Sequence, residues 1–167
     1  MLERLANAAL FQLGWFACVA GGNSLWLCVP LGALVIHLLW ISSWAEEGRL
    51  ILSVVLLGTA VDGALRWLGV FRFNDFSPLI PLWLMLLWAL LATTLRHCLS
   101  WTARPKWRAS LLGAIAAPLS YYAGGQLAGV QFPHGELPTL IGIGLLWALL
   151  FPLLHEMAQR FVGDTQD

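Results

Sequence analysis

Leu50-Ile51-Leu52-Ser53-Val54-Val55-Leu56-Leu57-Gly58-Thr59-Ala60-Val61-Asp62-Gly63-Ala64-Leu65-Arg66-Trp67-Leu68 is an apolar run with two ionisable residues in its second half, Asp62 and Arg66. An apolar segment of about 20 residues matches the hydrocarbon core of a bilayer. A carboxylate and a guanidinium at that depth are costly unless they are partnered or face a cavity. Gly58, Asp62 and Arg66 are spaced four apart, so a helix stacks them on one face, with Thr59 and Gly63 alongside. Arg66 lies near the end of the run and is long enough to reach water, whereas Asp62 is deeper and shorter. Two readings of Asp62 follow. It is a ligand-binding or proton-handling group, or it is a structural partner of Arg66 or of a neighbouring helix.

Outward from this run the pattern repeats. Of the 167 residues, 59% are hydrophobic and 11% charged, against about 45–50% and about 25% in soluble domains; the mean hydropathy is +0.77. Apolar segments fall at about 5–20, 25–44, 50–68, 80–99, 109–130 and 138–157. Backbone groups in lipid must bond within their own segment, and no period-two alternation supports a barrel, so the segments predict helices. The expectation is an all-α, polytopic bundle of six transmembrane helices in a single domain, residues 1–167. The connections, including Phe71-Arg72-Phe73-Asn74-Asp75-Phe76 within 69–79, are too short to hold a soluble domain. Residues 1–22 end in a small-residue run like a signal peptide, but Glu3 offsets Arg4, and Asn7 and Gln12 interrupt the apolar centre; the segment reads as a retained first span.

Orientation follows from lysine and arginine. Arg4, Arg49, Arg96, Arg104, Lys106, Arg108 and Arg160 fall on one side of such a bundle, Arg66 and Arg72 on the other. Both termini are therefore expected in the cytoplasm. Trp26, Trp40, Trp44, Trp67, Trp83, Trp101 and Trp107 lie near the expected span ends, where indoles meet headgroups. Trp15, Trp88 and Trp147 lie deeper and are expected to pack between helices or line a pocket.

Other polar residues mark further candidates. Asn7 and Gln12 sit in the first segment, where an amide seeks a partner helix. In the fifth, Gly113 and Ala117 form a small-xxx-small pair, Pro118 interrupts the helical hydrogen bonding, and Ser120, Tyr121, Tyr122, Gly124, Gly125 and Gln126 follow. This reads either as a cavity wall or as tight packing. Glu46, Glu47, His97, His155 and Glu156 collect at the expected cytoplasmic rim, where helix dipoles alone account for acids at an N-terminus and cations at a C-terminus. His37 reads as a lone hydrogen-bonded packing residue. No HExxH pattern is present, so neither a metal nor another cofactor is expected. P-loop, GxGxxG and GxSxG motifs are absent as well. Cys18, Cys28 and Cys98 form no CxxC; they read as small apolar fillers, with a Cys18–Cys28 disulfide as the alternative. With zero net charge, nothing points to a nucleic-acid partner.

Asn7 with Phe11-Gln12-Leu13-Gly14-Trp15-Phe16, Gly21-Gly22, Glu46, Gly58 with Asp62, Pro81-Leu82-Trp83 with Leu87-Trp88-Ala89, and Gly113 with Pro118-Leu119-Ser120-Tyr121-Tyr122-Ala123-Gly124 extend over nearly the whole chain. Together they resemble a family of small, six-span bacterial inner-membrane proteins of unknown function. The resemblance implies a Gram-negative inner-membrane location. It also implies a genomic neighbourhood of fatty-acid-modifying methyltransferases and flavin oxidoreductases, and hence a role near membrane lipids.

The expected function is thus an integral inner-membrane protein with a polar intramembrane cavity. It would act as a binding or partner subunit, with a lipid-like small molecule or a membrane-associated enzyme as partner besides the bilayer. Asp62, Arg66, Gln12, Asn7, Tyr121, Ser120 and Trp88 are the expected ligand-binding residues, with Glu46 and His97 on the cytoplasmic rim. The alternatives are an intramembrane lipid-modifying enzyme and the substrate-binding membrane subunit of a transporter.

Overall fold

A computed structural model describes residues 1–73, 77 and 79–163. The described residues form six helices and no strand: α1 (Leu2–Gly21), α2 (Cys28–Ile36), α3 (Trp44–Trp67), α4 (Leu82–Leu95), α5 (Lys106–Ala128) and α6 (Glu136–Gly163). Short 3-10 turns at Leu25–Leu27 and Ser100–Thr102 precede α2 and follow α4. The middle of the 69–79 connection, Asn74-Asp75-Phe76, lies outside the described residues. Before it the chain is tied down, because Arg72 and Gln131 exchange backbone hydrogen bonds of 2.9 and 3.0 Å.

Two helices, Trp44–Trp67 and Glu136–Phe161, are long and apolar enough to cross a membrane. The second and fourth segments are shorter as helices than the expected spans 25–44 and 80–99. α2 gives way to a π-helical segment, His37–Ile41, closed by a 2.9 Å bond from the Ser42 N–H to the His37 carbonyl. α4 stops at Leu95, because the next N–H groups fold back on the Thr94 carbonyl, from His97 at 3.1 Å and from Leu99 at 2.9 Å. Both irregularities turn a histidine inward, His37 in the first case and His97 in the second.

Local sequence explains the other ends. The Ser43 hydroxyl caps α3 by accepting from the Glu46 N–H at 3.3 Å, and Glu46 and Glu47 occupy the first turn, where the helix dipole favours acids. α5 ends on Gly129 in the left-handed conformation, φ 69°, which a residue without Cβ adopts at little cost. Gly113 lets α5 and α6 meet closely: a Cβ there would stand 2.3 Å from the Trp147 carbonyl oxygen. α5 remains helical through Pro118.

Two apolar clusters fill the interior. One, between α3, α4, α5 and α6, contains Leu50, Val54, Trp88, Trp147, Leu150 and Leu154. The other, against α1 and the chain before α4, contains Trp15, Val19, Phe71, Phe73 and Trp83. Tyr121 packs against both. Trp83, expected at a span end, is instead buried against Phe73, with ring centroids 6.2 Å apart; Trp26, Trp40, Trp44, Trp67, Trp101 and Trp107 are exposed. The outward faces are apolar too: Leu137, Ile141, Leu145, Leu149 and Leu153 form an exposed i, i+4 stripe along α6, and Leu111, Ile115 and Leu119 another along α5.

Candidate functional site

Asp62 is fully buried, and both its carboxylate oxygens are engaged. Trp88 Nε1–H donates to Oδ2 at 2.7 Å, and the Tyr121 hydroxyl donates to Oδ1 at 2.6 Å. Helical spacing builds the seat for this contact. Gly58, one turn before Asp62, leaves a notch into which the Trp88 ring drops; a Cβ at Gly58 would lie 1.9 Å from it. Trp147 then stacks on Trp88, with centroids 5.2 Å apart and planes 15° apart. Of the two structural partners the sequence allowed for Asp62, it is thus the neighbouring helices and not Arg66 that hold it. Arg66 Nη1 donates to the Leu79 carbonyl at 2.9 Å and its guanidinium lies over the Phe73 ring, at the end of α3. The aromatic donors reach Asp62 from α4 and α5, elements remote in sequence.

Beside this group lies a cavity of about 620 Å³, walled chiefly by Phe11, Trp15, Phe73, Leu87, Trp88, Ala116, Tyr121 and Trp147. The expected polar chamber is not what surrounds it: the wall is mainly aromatic and aliphatic, and Asp62 stands behind Trp88 and Tyr121 rather than in the wall. Gln12, Ser120 and Tyr121 contribute its polar groups. Ser120 Oγ accepts from Trp15 Nε1 at 2.9 Å. Gln12, Phe16 and Leu119 line the cavity and are also exposed, so it opens sideways between α1 and α5. Trp147 Nε1 is buried without a hydrogen-bond acceptor among the described residues.

Asn7 belongs elsewhere, at the end of the bundle where α3 begins and α4 ends. Its Oδ1 accepts from the Cys98 N–H at 3.2 Å, and its Nδ2 donates to the Thr93 carbonyl at 3.1 Å. Those two backbone groups fix which end of the amide is which. Nδ2 therefore also donates, at 3.3 Å, to His37 Nδ1. An imidazole that accepts at Nδ1 carries its proton on Nε2, and His37 Nε2 lies 2.8 Å from Glu47 Oε2. The other oxygen of Glu47 lies 2.8 Å from His97 Nε2. Glu47 and His37 are each about 2% exposed, His97 19%.

The acid beside His97 is thus Glu47, not the expected Glu46. Glu46 is exposed, accepts from the Ser42 hydroxyl at 3.2 Å, and offers its carbonyl to Arg96 Nη1 at 2.8 Å. Nor is His37 solitary. The clue present in the sequence was the adjacent pair Glu46-Glu47 at a helix start: consecutive helical residues point about 100° apart, so one faces inward when the other faces out. His155 is buried with Nε2 2.7 Å from Thr102 Oγ1, rather than sitting as a rim cation. Cys18, Cys28 and Cys98 are free thiols.

These features define an all-helical protein with apolar outer faces and two buried polar clusters. The chain belongs to the family described as "Protein of unknown function (DUF2878)", whose model matches residues 4–153. No curated protein and no solved structure is similar to it.

Proposed function

We propose that this chain is a multi-pass protein of the bacterial inner membrane that binds an amphipathic, lipid-like molecule in the cavity between α1 and α5. The observation that carries the reading is the cavity itself, about 620 Å³, mainly apolar and open sideways. Ligand pockets of about 300–1,000 Å³ with apolar walls and a few polar groups are the common form. A mouth between two helices with exposed Leu119 and Phe16 admits a ligand from the bilayer plane. An acyl or isoprenoid chain would lie against Phe11, Trp15 and Leu87. An oxygen-bearing end would meet Ser120 and Gln12.

Membrane placement is supported by two sufficiently long apolar helices and by the exposed leucine stripes of α5 and α6, which water would oppose. The lysine and arginine distribution favours a cytoplasmic location for both termini. Asp62 holds Trp88 and Tyr121 in place as the rear support of the binding wall, and the chain serves as a binding or partner subunit rather than through chemistry at Asp62.

Native mass spectrometry of the detergent-purified protein tests this. The wild type is expected to retain lipid-like adducts. Ala116→Phe, which places a ring in the wall from an exposed helix position, is expected to lose them while keeping its helical content. Equal adduct retention by both proteins would refute the binding site.

A further inference from the structure

We infer that His37, Glu47 and His97 form a binding site for a divalent transition-metal ion, zinc or ferrous iron. One potential ligand atom from each residue lies within 4.8 Å of the other two. Two histidines and one carboxylate with open positions are the donor set of zinc hydrolytic sites and of the facial triad that holds ferrous iron. Metal–ligand distances of about 2.0–2.2 Å place donor atoms about 3–3.5 Å apart, so on loading the widest separation shortens while the 2.8 Å histidine–glutamate contacts lengthen slightly.

Two observations favour a metal ion over a packing role. First, the Glu47 carboxylate is almost wholly buried, and its ion-pair partners among the described residues are these two imidazoles. A buried carboxylate needs a compensating positive charge. Arg96, just past the end of α4, gives Nε and Nη1 to the carbonyls of Ala158 and Glu46, so its charge acts on Glu47 through space and leaves the carboxylate oxygens to the imidazoles. Second, the residues arrive from three separate places, two of them irregular in backbone: the π segment at His37, the first turn of α3, and the turn after α4. π segments inside helices recur at functional sites. His97, the partly exposed member, marks the side of entry.

Asn7 sharpens the inference. A metal on His37 Nε2 requires the proton on Nδ1, so Asn7 must turn its oxygen toward the ring and release Thr93 and Cys98. An aspartate at position 7 accepts that proton without turning.

Cobalt(II) titration of the chelator-treated, detergent-purified full chain is the test, read by ligand-field absorption. Elemental analysis of untreated protein and competition by zinc or anaerobic ferrous iron distinguish the two metals. The wild type is expected to bind one cobalt ion per chain, and Glu47→Gln and His97→Ala to lose it. Asn7→Asp is expected to bind about tenfold more tightly, within the range that supporting groups exert on metal affinity; a packing role alone would produce no such gain. Should Glu47→Gln or Asn7→Asp fail to fold, His97→Ala, altered at a partly exposed side chain, decides the matter. No cobalt band in the wild type, or an unchanged band in a folded His97→Ala protein, would overturn the site and leave a hydrogen-bonded packing cluster. The lipid-binding reading stands or falls separately, since the adducts are measured at another cavity.

Discussion

Trp88 donates its indole N–H to Asp62 at 2.7 Å while its ring fills the notch over Gly58, one helical turn from the carboxylate it binds. Position and hydrogen bond are thus set by the same face of α3. The Tyr121 hydroxyl completes the arrangement from α5, and Trp147 covers it by stacking on Trp88.

The contact should make stability depend on Asp62 more than on either donor alone. Asp62→Ala leaves two buried donors unsatisfied, each worth about 1–3 kcal/mol, whereas Tyr121→Phe leaves one group, Asp62 Oδ1, unsatisfied at a similar cost. Asp62→Asn falls between them, because its amide offers only one acceptor oxygen. Chemical denaturation in detergent, followed by circular dichroism, should give that order; equal stability of Asp62→Ala and wild type would contradict it.

Gly58→Ala should be costlier than its single methyl suggests. The new Cβ would overlap the Trp88 ring at 1.9 Å, so the ring must leave its hydrogen bond or α4 must move. Overpacking of this kind costs about 1–3 kcal/mol. A shift of buried tryptophan emission should accompany the loss. Gly63→Ala, where a Cβ meets no atom within 4 Å, is the matched control.

The membrane reading predicts an asymmetry on α6. Leu145 and Leu149 are exposed on its outer face. In lipid, a lysine near the helix centre costs about 2.5–3.5 kcal/mol; on a water-facing surface the same change stays within about 0.5 kcal/mol. Carbonate extraction of cells expressing Leu145→Lys/Leu149→Lys should show reduced membrane integration. Normal yield of this variant in the soluble fraction would argue for a water-exposed face.

Cys98 lies in the turn after α4, and burial raises its thiol pKa above the ordinary value. The sign of the consequence is direct. Less thiolate is present at neutral pH, so alkylation is slow, and its rate keeps rising where an exposed thiol has levelled off, beyond about pH 9. A Cys18→Ala/Cys28→Ser protein labelled across a pH series, beside a thiol peptide, checks this. A profile superimposed on the peptide's would show that the thiol is not shielded.

The helical class was legible because it depends on local pattern. Apolar runs, short connections, the Ser43 cap and Gly129 each act within a few residues, and α1, α3, α5 and α6 fall close to their expected ranges. The shortening of α2 and α4 was not legible. Those ends are decided by His37 and His97 turning toward a buried carboxylate on another helix, and hydropathy registers no such partner.

Sequence alone determined that this chain builds helices with apolar surfaces, and that Asp62, Gly58, Trp88 and Tyr121 stand apart from their surroundings, since composition and helical period are carried by neighbouring residues. Tertiary structure decided their partners. It set Asp62 against Trp88 and Tyr121 rather than Arg66, bonded Asn7 to His37 and to the backbone at the end of α4, and left the cavity apolar. Such choices depend on which helix faces come together after the chain has folded, through contacts between residues 10 to 91 positions apart.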